Sequence, residues 1–311
     1  MAEVNSVKPL RTRVYIDGFN LYYGCLKGSP YKWLDLLSLF EKQILPSILV
    51  KKDNQPCQME LLPLAIKFFT AKILENAAKA SDSVSSQARY HTALRRYHKE
   101  RIEIVEGYYS LSQSKVKVVD LDNHDKLPRD CQEITAWKME EKQSDVNLAL
   151  QAYHDATTNQ VDQIVIVTND TDIAPALKLI RLHTSVTVGL VVPAVNKNRK
   201  PNTGLSEHAH WVRSHILPDE LAKSQLPRVI PGNVPTIKPD SWYARPDLLE
   251  RVLQLAQPIL GSRGSVFKWM EEPNTYIDNQ VPIELIDTDA GAARVVAYIE
   301  AYIANERSTN S

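Results

Sequence analysis

Short apolar runs rich in β-branched residues recur along the chain, and stretches with helical spacing separate them. Val14-Tyr-Ile-Asp17 and Ile164-Val-Ile-Val-Thr168 have the composition of strands buried on both faces. Each is followed by acid where the apolar run ends, Asp17 in the first case and Asp170 and Asp172 in the second. Between them, residues 33–45 have helical periodicity and 64–73 read as a second strand, which makes one βαβ unit. Residues 81–99 predict a polar helix, 102–109 a strand and 115–119 a separate short extended piece, with a charged connection over 120–128. Helix returns at 144–156, where Val146, Ala149, Leu150 and Tyr153 share one face. A strand at 163–168, a helix at 173–181 and a strand at 186–192 complete the alternation, which predicts a mostly parallel sheet flanked by helices.

The texture changes after residue 216. Prolines at 218, 227, 231, 235 and 239 interrupt any period, so 217–245 reads as a linker or wrapping segment. Beyond it the pattern is helical only, at 248–256, 265–270 and 290–304. The expected organisation is an α/β domain over 10–216 and a small all-α domain over 246–304.

Charge and composition narrow the function classes. Lysine plus arginine and aspartate plus glutamate number 37 each, so there is no global positive field for coating nucleic acid, and any such contact must be local. The three cysteines, Cys25, Cys57 and Cys131, show neither a zinc spacing nor an even disulfide count, which fits a reducing cytoplasm. No stretch approaches the roughly 20 apolar residues of a membrane span.

The candidate chemistry is acidic. In an open α/β sheet, ligands bind outside the carboxyl ends of the strands. Asp17, Asp170 and Asp172 are expected there, with Asp145 at the start of a helix and Asn20 as a neutral helper. Converging carboxylates suit Mg2+ or Mn2+, which takes oxygen ligands and keeps several waters. A plainer role stays open for Asp145 and Asp172, because aspartate at a helix start also caps free amides. Asp17-Gly18 is likewise an ordinary turn pair.

Three segments carry a resemblance: Val14-Tyr-Ile-Asp-Gly-Phe-Asn-Leu21, Glu141-Lys-Gln-Ser-Asp-Val-Asn-Leu-Ala149 and Val167-Thr-Asn-Asp-Thr-Asp-Ile-Ala-Pro175. In this order they resemble the motifs of NYN-domain proteins of the LabA-like group, relatives of PIN-domain ribonucleases. Ser224-Gln-Leu-Pro227 and Lys238-Pro-Asp-Ser-Trp242 resemble the end of that domain. The resemblance implies a PIN-like sheet, a Mg2+- or Mn2+-dependent centre and RNA phosphodiester cleavage. Carried over by motif, Asp17, Asp145, Asp170 and Asp172 become the metal-holding acids, Asn20 orients the first and Lys142 faces phosphate charge.

Other groups are weaker. Arg89, Arg95, Arg96, Lys99 and Arg101, and the loop Lys197-Asn-Arg-Lys200, are candidate phosphate contacts or simply solvated charge. Tyr22 and Tyr23 are candidate base-stacking platforms or core residues. His208 and His210 have too little spacing signal to name a zinc site.

Downstream, Val266-Phe-Lys-Trp-Met-Glu-Glu-Pro-Asn274 and Pro282-Ile-Glu-Leu-Ile-Asp-Thr-Asp-Ala-Gly291 resemble the toxin-binding domain of Xre/MbcA/ParS-type antitoxins. This implies a protein partner through 246–304, with Trp269 and Met270 as candidate exposed anchors, Trp269 being equally a candidate for the core of so small a bundle, and Leu249, Val252, Leu253, Val295, Tyr298 and Ile299 as core. The combined expectation is a cytoplasmic metal-dependent endoribonuclease acting on single-stranded or structured RNA. Two alternatives stand beside it: an inactive RNA-binding or scaffold protein of a toxin-antitoxin-like system, and a structure-specific DNA nuclease.

Overall fold

The structure, a computed structural model, describes residues 8–52, 55–78 and 80–309. The chain falls into two compact units. One comprises residues up to Lys27 with Leu34–Ile237, and the other Gly28–Trp33 with residues from Lys238 onward.

The first unit is built on a seven-stranded sheet. Its strands are β1 (Leu10–Asp17), β2 (Met59–Ala71), β3 (Ile102–Lys117), β4 (Glu133–Lys142), β5 (Gln163–Val167), β6 (Thr187–Val191) and β7 (Trp211–Arg213). They lie in the order β4-β3-β2-β1-β5-β6-β7, all neighbours parallel except the antiparallel pair β3 and β4. The chain builds outward from β1 to one edge and then returns to lay β5 on the other side of β1. That return is a topological switch point, and it leaves a crevice at the carboxyl ends of β1 and β5. Val14, Tyr15, Ile16 and Ile164 through Val167 are buried, as strands covered on both faces require.

Helix α1 (Ser83–His98) connects β2 to β3, α2 (Ser144–Thr157) connects β4 to β5, and α3 (Ala174–His183) follows β5. The packing face of α2 differs from the expected stripe. It buries Leu148, Ala152, Asp155 and Ala156, while Val146 and Leu150 are 60% and 61% exposed. Leu148 enters the core, Ala149 and Tyr153 of the expected stripe pack partly against it, and a carboxylate shares the buried face. Asp155 accepts hydrogen bonds from Arg13 (2.6 Å) and Tyr15 (2.6 Å) on β1 and is ion-paired to Lys67 (3.0 Å) on β2. Burial alone would push the Asp155 carboxyl up, yet the bonds from Tyr15, Lys67 and Arg13 prevail and hold it below the usual range.

The extended piece expected at 115–119 is the end of β3, which runs unbroken for 16 residues. It forms a long hairpin with β4, a strand the sequence pattern did not signal. Of the expected linker, residues 217–237 belong to the first unit. They contain α4 (Pro218–Lys223) and a small antiparallel pair, Val229–Ile230 with Thr236–Ile237. Arg96 of α1 holds this segment by donating to the Val234 carbonyl (2.6 Å) and to Thr236 Oγ1 (3.0 Å).

The second unit contains α5 (Pro246–Leu260), α6 (Arg263–Met270) and α7 (Asp289–Thr309). Leu249, Val252, Leu253, Val266, Phe267, Val295 and Ile299 are buried in its core. Met270 is buried with them and is no surface anchor, and Trp269 is partly buried, stacked on Tyr298 at 6.2 Å. The exposed member of this aromatic row is Tyr276, 81% accessible and stacked on the other side of Tyr298 at 5.9 Å.

Replacing Asp155 with alanine strands two buried cations, and the expected loss is about 3–5 kcal/mol by urea denaturation at neutral pH. Because the folded carboxyl titrates below its unfolded value, this contribution is present above the unfolded pKa of roughly 4 and is lost as the pH falls through the folded value. The difference between wild type and Asp155→Ala should therefore shrink in acid. A constant difference from neutral pH to strong acid would refute the charged network.

Candidate functional site

Asp17 is the last residue of β1 and is almost fully buried. Gly18 follows because a Cβ there would sit 2.6 Å from the Phe69 carbonyl oxygen of β2. The chain turns at once into a short helix, Gly18–Leu21, and Asp17 caps it, Oδ1 accepting from the Asn20 amide at 2.9 Å. Asn20 Nδ2 donates to Asp17 Oδ2 (2.6 Å), and Thr168 Oγ1 donates to the same oxygen (2.8 Å). Asn20 thus orients Asp17, as expected from the motif, and Thr168 completes the fixation from the end of β5. Burial pushes the Asp17 carboxyl up, those hydrogen bonds pull it down, and the net shift is upward.

On β5 the chain passes Thr168 and Asn169 into a 3-10 turn, Thr171–Ile173, capped by Asp170, whose Oδ1 accepts from the Asp172 amide (3.1 Å). Capping therefore falls to Asp17 and Asp170. Asp145 lies in the first turn of α2, whose N-cap residue Gln143 makes no side-chain cap, and Asp172 lies inside its turn. Gln143 is the single residue between β4 and α2, and its φ is 80°.

Asp145 is the electrostatic centre. Its carboxyl is pushed up to about 7, first by burial and then by the like charges of Asp17, Asp170, Glu141 and Asp172. The four predicted aspartates are thus brought into one field, together with a fifth acid, Glu141. Glu141 Oε1 accepts from the Ser144 amide (3.2 Å), so this carboxylate faces the start of α2. Its neighbour Lys142 is not brought to the aspartates. Alternation along β4 places it on the opposite face from Glu141, where it is bonded to Glu140 (3.1 Å).

The basic group beside the site is Arg199. It donates to Asn20 Oδ1 (3.3 Å), and its loop is fastened by Asn169, which donates to the Lys200 carbonyl (3.2 Å) and accepts from the Asn202 amide (2.9 Å). Gly24 lets this happen, since a Cβ there would lie 1.8 Å from the Pro193 carbonyl oxygen at the root of the loop. Three of the candidate arginines are engaged elsewhere: Arg95 and Arg96 of α1 pair with Glu106 and with residues 234 and 236, and Arg101 just beyond it with Glu41. His210 contacts Arg181 and the Val188 amide and is no part of a zinc site. Tyr22 and Tyr23 are exposed, and Tyr23 packs against Phe19, which in turn meets Tyr109 of β3. Two surface clefts, of about 590 and 480 Å3, are lined by none of the acidic-site residues; Glu41, Cys57 and Arg101 line one, and Arg89, Arg96 and Thr236 the other.

A family model for the NYN domain matches residues 11–209. The chain belongs to the NYN-domain family. The model of the antitoxin Xre/MbcA/ParS C-terminal toxin-binding domain matches residues 255–302, within the helical unit. Over 301 residues, 96% of each protein, this NYN-domain chain is 62% identical to 6-hydroxy-3-succinoylpyridine 3-monooxygenase HspA of Pseudomonas putida (strain DSM 28022 / S16). Among solved structures, a protein of unknown function, VPA0982 of Vibrio parahaemolyticus RIMD 2210633, aligns with a TM-score of 0.37 and 14% identity, covering 70% of this chain and 98% of that one. So low a score carries no argument. Among the described residues no helix of this NYN-domain protein is long and apolar enough to cross a membrane.

Because the folded Asp145 carboxyl titrates near 7, above an unfolded value of roughly 4, it favours the folded state below pH 4, and this contribution is lost as the pH rises towards 7. Asp145→Asn should therefore melt higher than wild type at pH 8 and close to it below pH 4. Equal melting temperatures at pH 8 would show that the carboxylates do not share a field.

Proposed function

We propose that the NYN domain is a divalent-metal-dependent nuclease acting on RNA, centred on the carboxyl edge of β1 and β5. The observation that carries this reading is the lifted Asp145 carboxyl: a partly buried acid raised by the like charges of Asp17, Asp170, Glu141 and Asp172, a repulsion that a divalent cation would relieve. The donors are hard oxygens of the kind Mg2+ and Mn2+ take. Among the described residues no three such groups stand close enough to hold an ion by themselves. An ion held here would bind through one or two carboxylates and keep waters in its other positions, as Mg2+ does. Asp17 and Asp170, with Asp145 and Asp172 acting directly or through water, would hold it. When bound, such an ion lowers the pKa of a coordinated water and shields phosphoryl charge.

The remaining roles fall to residues of the chain. Asn20 and Thr168 fix the orientation of Asp17. Arg199, rather than Lys142, offers a guanidinium to a phosphate. Tyr22 and Tyr23 offer exposed ring faces on which unpaired bases stack. In the second unit, the match to a toxin-binding domain favours a protein partner, with Tyr276 as the accessible aromatic contact.

The 62% identity to a named monooxygenase over nearly the whole of both chains favours a second reading, hydroxylation of 6-hydroxy-3-succinoylpyridine. That reaction takes one oxygen atom from O2 and two electrons from a reductant. The ten glycines of the chain never fall two residues apart, so the Gly-x-Gly turn of dinucleotide-binding sheets is not written in it. The succinoyl group ends in a carboxylate. An anionic substrate of either class would meet the same repulsion at the acidic edge, and Arg199 is the group beside it that could answer that charge.

One paired experiment separates the two. Labelled single-stranded RNA and DNA are incubated with the protein in Mg2+, Mn2+, Ca2+ or chelator, and in parallel the pyridine is supplied with O2 and a reduced nicotinamide. RNA cleavage in Mg2+ or Mn2+ that fails in Ca2+ and chelator, and falls at least a hundredfold in Asp17→Asn and Asp170→Asn, is the expected result. Pyridine-dependent O2 uptake that survives Asp17→Asn, with no RNA cleavage, would replace the first reading by the second.

A further inference from the structure

Strand β4 ends the sheet, and among the described residues no strand lies along its outer edge. Alternate residues of this ten-residue strand direct unpaired backbone donors and acceptors outward, which makes a long edge of the kind soluble proteins usually shorten, bend or cover. The side chains here do not protect it. The register of the hairpin puts Leu111, Trp137 and Met139 on one face and Val116 and Ile134 on the other. Trp137 is 67% exposed and Met139 50%. The lysines that would guard such an edge are neutralised along the strand, Lys138 and Lys142 both bridging Glu140, at 2.6 and 3.1 Å.

We propose that this edge pairs antiparallel with the same edge of a second copy of the chain, joining two sheets across a two-fold axis. The axis stands perpendicular to the sheet, so each face stays on its own side, and odd-numbered residues face odd and even face even. That parity leaves few registers. Centred on Met139, the pairing sets Lys138 against Glu140 of the second copy twice and opposes no like charges. Centred on Lys138 it would oppose that lysine to itself, and centred on Trp137 it would oppose Glu133 to Glu141. The Met139 register pairs residues 136–142 and brings Trp137 and Met139 of both copies into the joint on one face. It does not depend on the reaction the acidic edge performs.

The test uses the full chain. Light scattering at tens of micromolar should give twice the mass of one chain, and Met139→Lys, which opposes two lysines at the axis, should give one, with an unchanged circular dichroism spectrum as the control for folding. In a Cys131→Ser background, Met139→Cys should form a disulfide-linked dimer on mild oxidation, because that residue faces itself. Ala136→Cys, facing Lys142, should not. A wild-type mass of one chain, a dimer that persists in Met139→Lys, or equal crosslinking at 136 and 139 would each overturn the proposal. So would a single-chain mass that rises only when single-stranded RNA is added, since the apolar face would then be a nucleic-acid contact.

Discussion

The position of Asp145 at the carboxyl edge depends on a buried carboxylate far from it. Asp155 ties α2 to the two central strands through Arg13, Tyr15 and Lys67. From there the helix runs about 15 Å, at 1.5 Å per residue, back to Asp145. Apolar packing supplies Leu148, Ala152 and Ala156 to the core, while Val146 and Leu150 stay exposed, and Asp155 adds a directional constraint to that face. A charge that must find two cations and a hydroxyl allows one rotation and one height. The same rotation aims Asp145 at Asp17. Unpaired buried charge is costly, so the network specifies as well as stabilises.

What could be read from the sequence follows from what each residue contacts. The central strands were legible because a strand buried on both faces must be apolar throughout, and the acids were legible because they end those strands. Strand β4 was not, since Glu133-Ile-Thr-Ala-Trp-Lys-Met-Glu-Glu-Lys142 faces solvent on both sides and carries no alternation to detect. The face of α2 was misread in part because one of the residues it buries is an aspartate. Met270 was misassigned because a methionine beside a tryptophan looks like an interface pair, when a bundle this small needs both for its interior. Thr168 and Glu141 stood inside the quoted motifs, but nothing in their spacing shows that one fixes Asp17 and the other adds charge at Asp145.

A shared fold limits chemistry without choosing it. The chain matches the NYN domain, and the relative whose printed name is a monooxygenase is 62% identical to it over nearly its whole length. Both meet at one physical fact. The crevice is negative, and any anionic substrate must be met there by positive charge from the Arg199 loop or from a bound cation.

Gln143 has one further consequence. It is the whole connection between the β3–β4 hairpin and α2, and one residue supplies only two soft torsions. A hinge so short cannot absorb a tilt of the hairpin, and its left-handed φ of 80° leaves little slack. The hairpin and the first turn of α2 therefore move as a lever on a common pivot. Trp137 on the outermost strand and Asp145 in the first turn of α2 are thus joined through a single residue with two soft torsions.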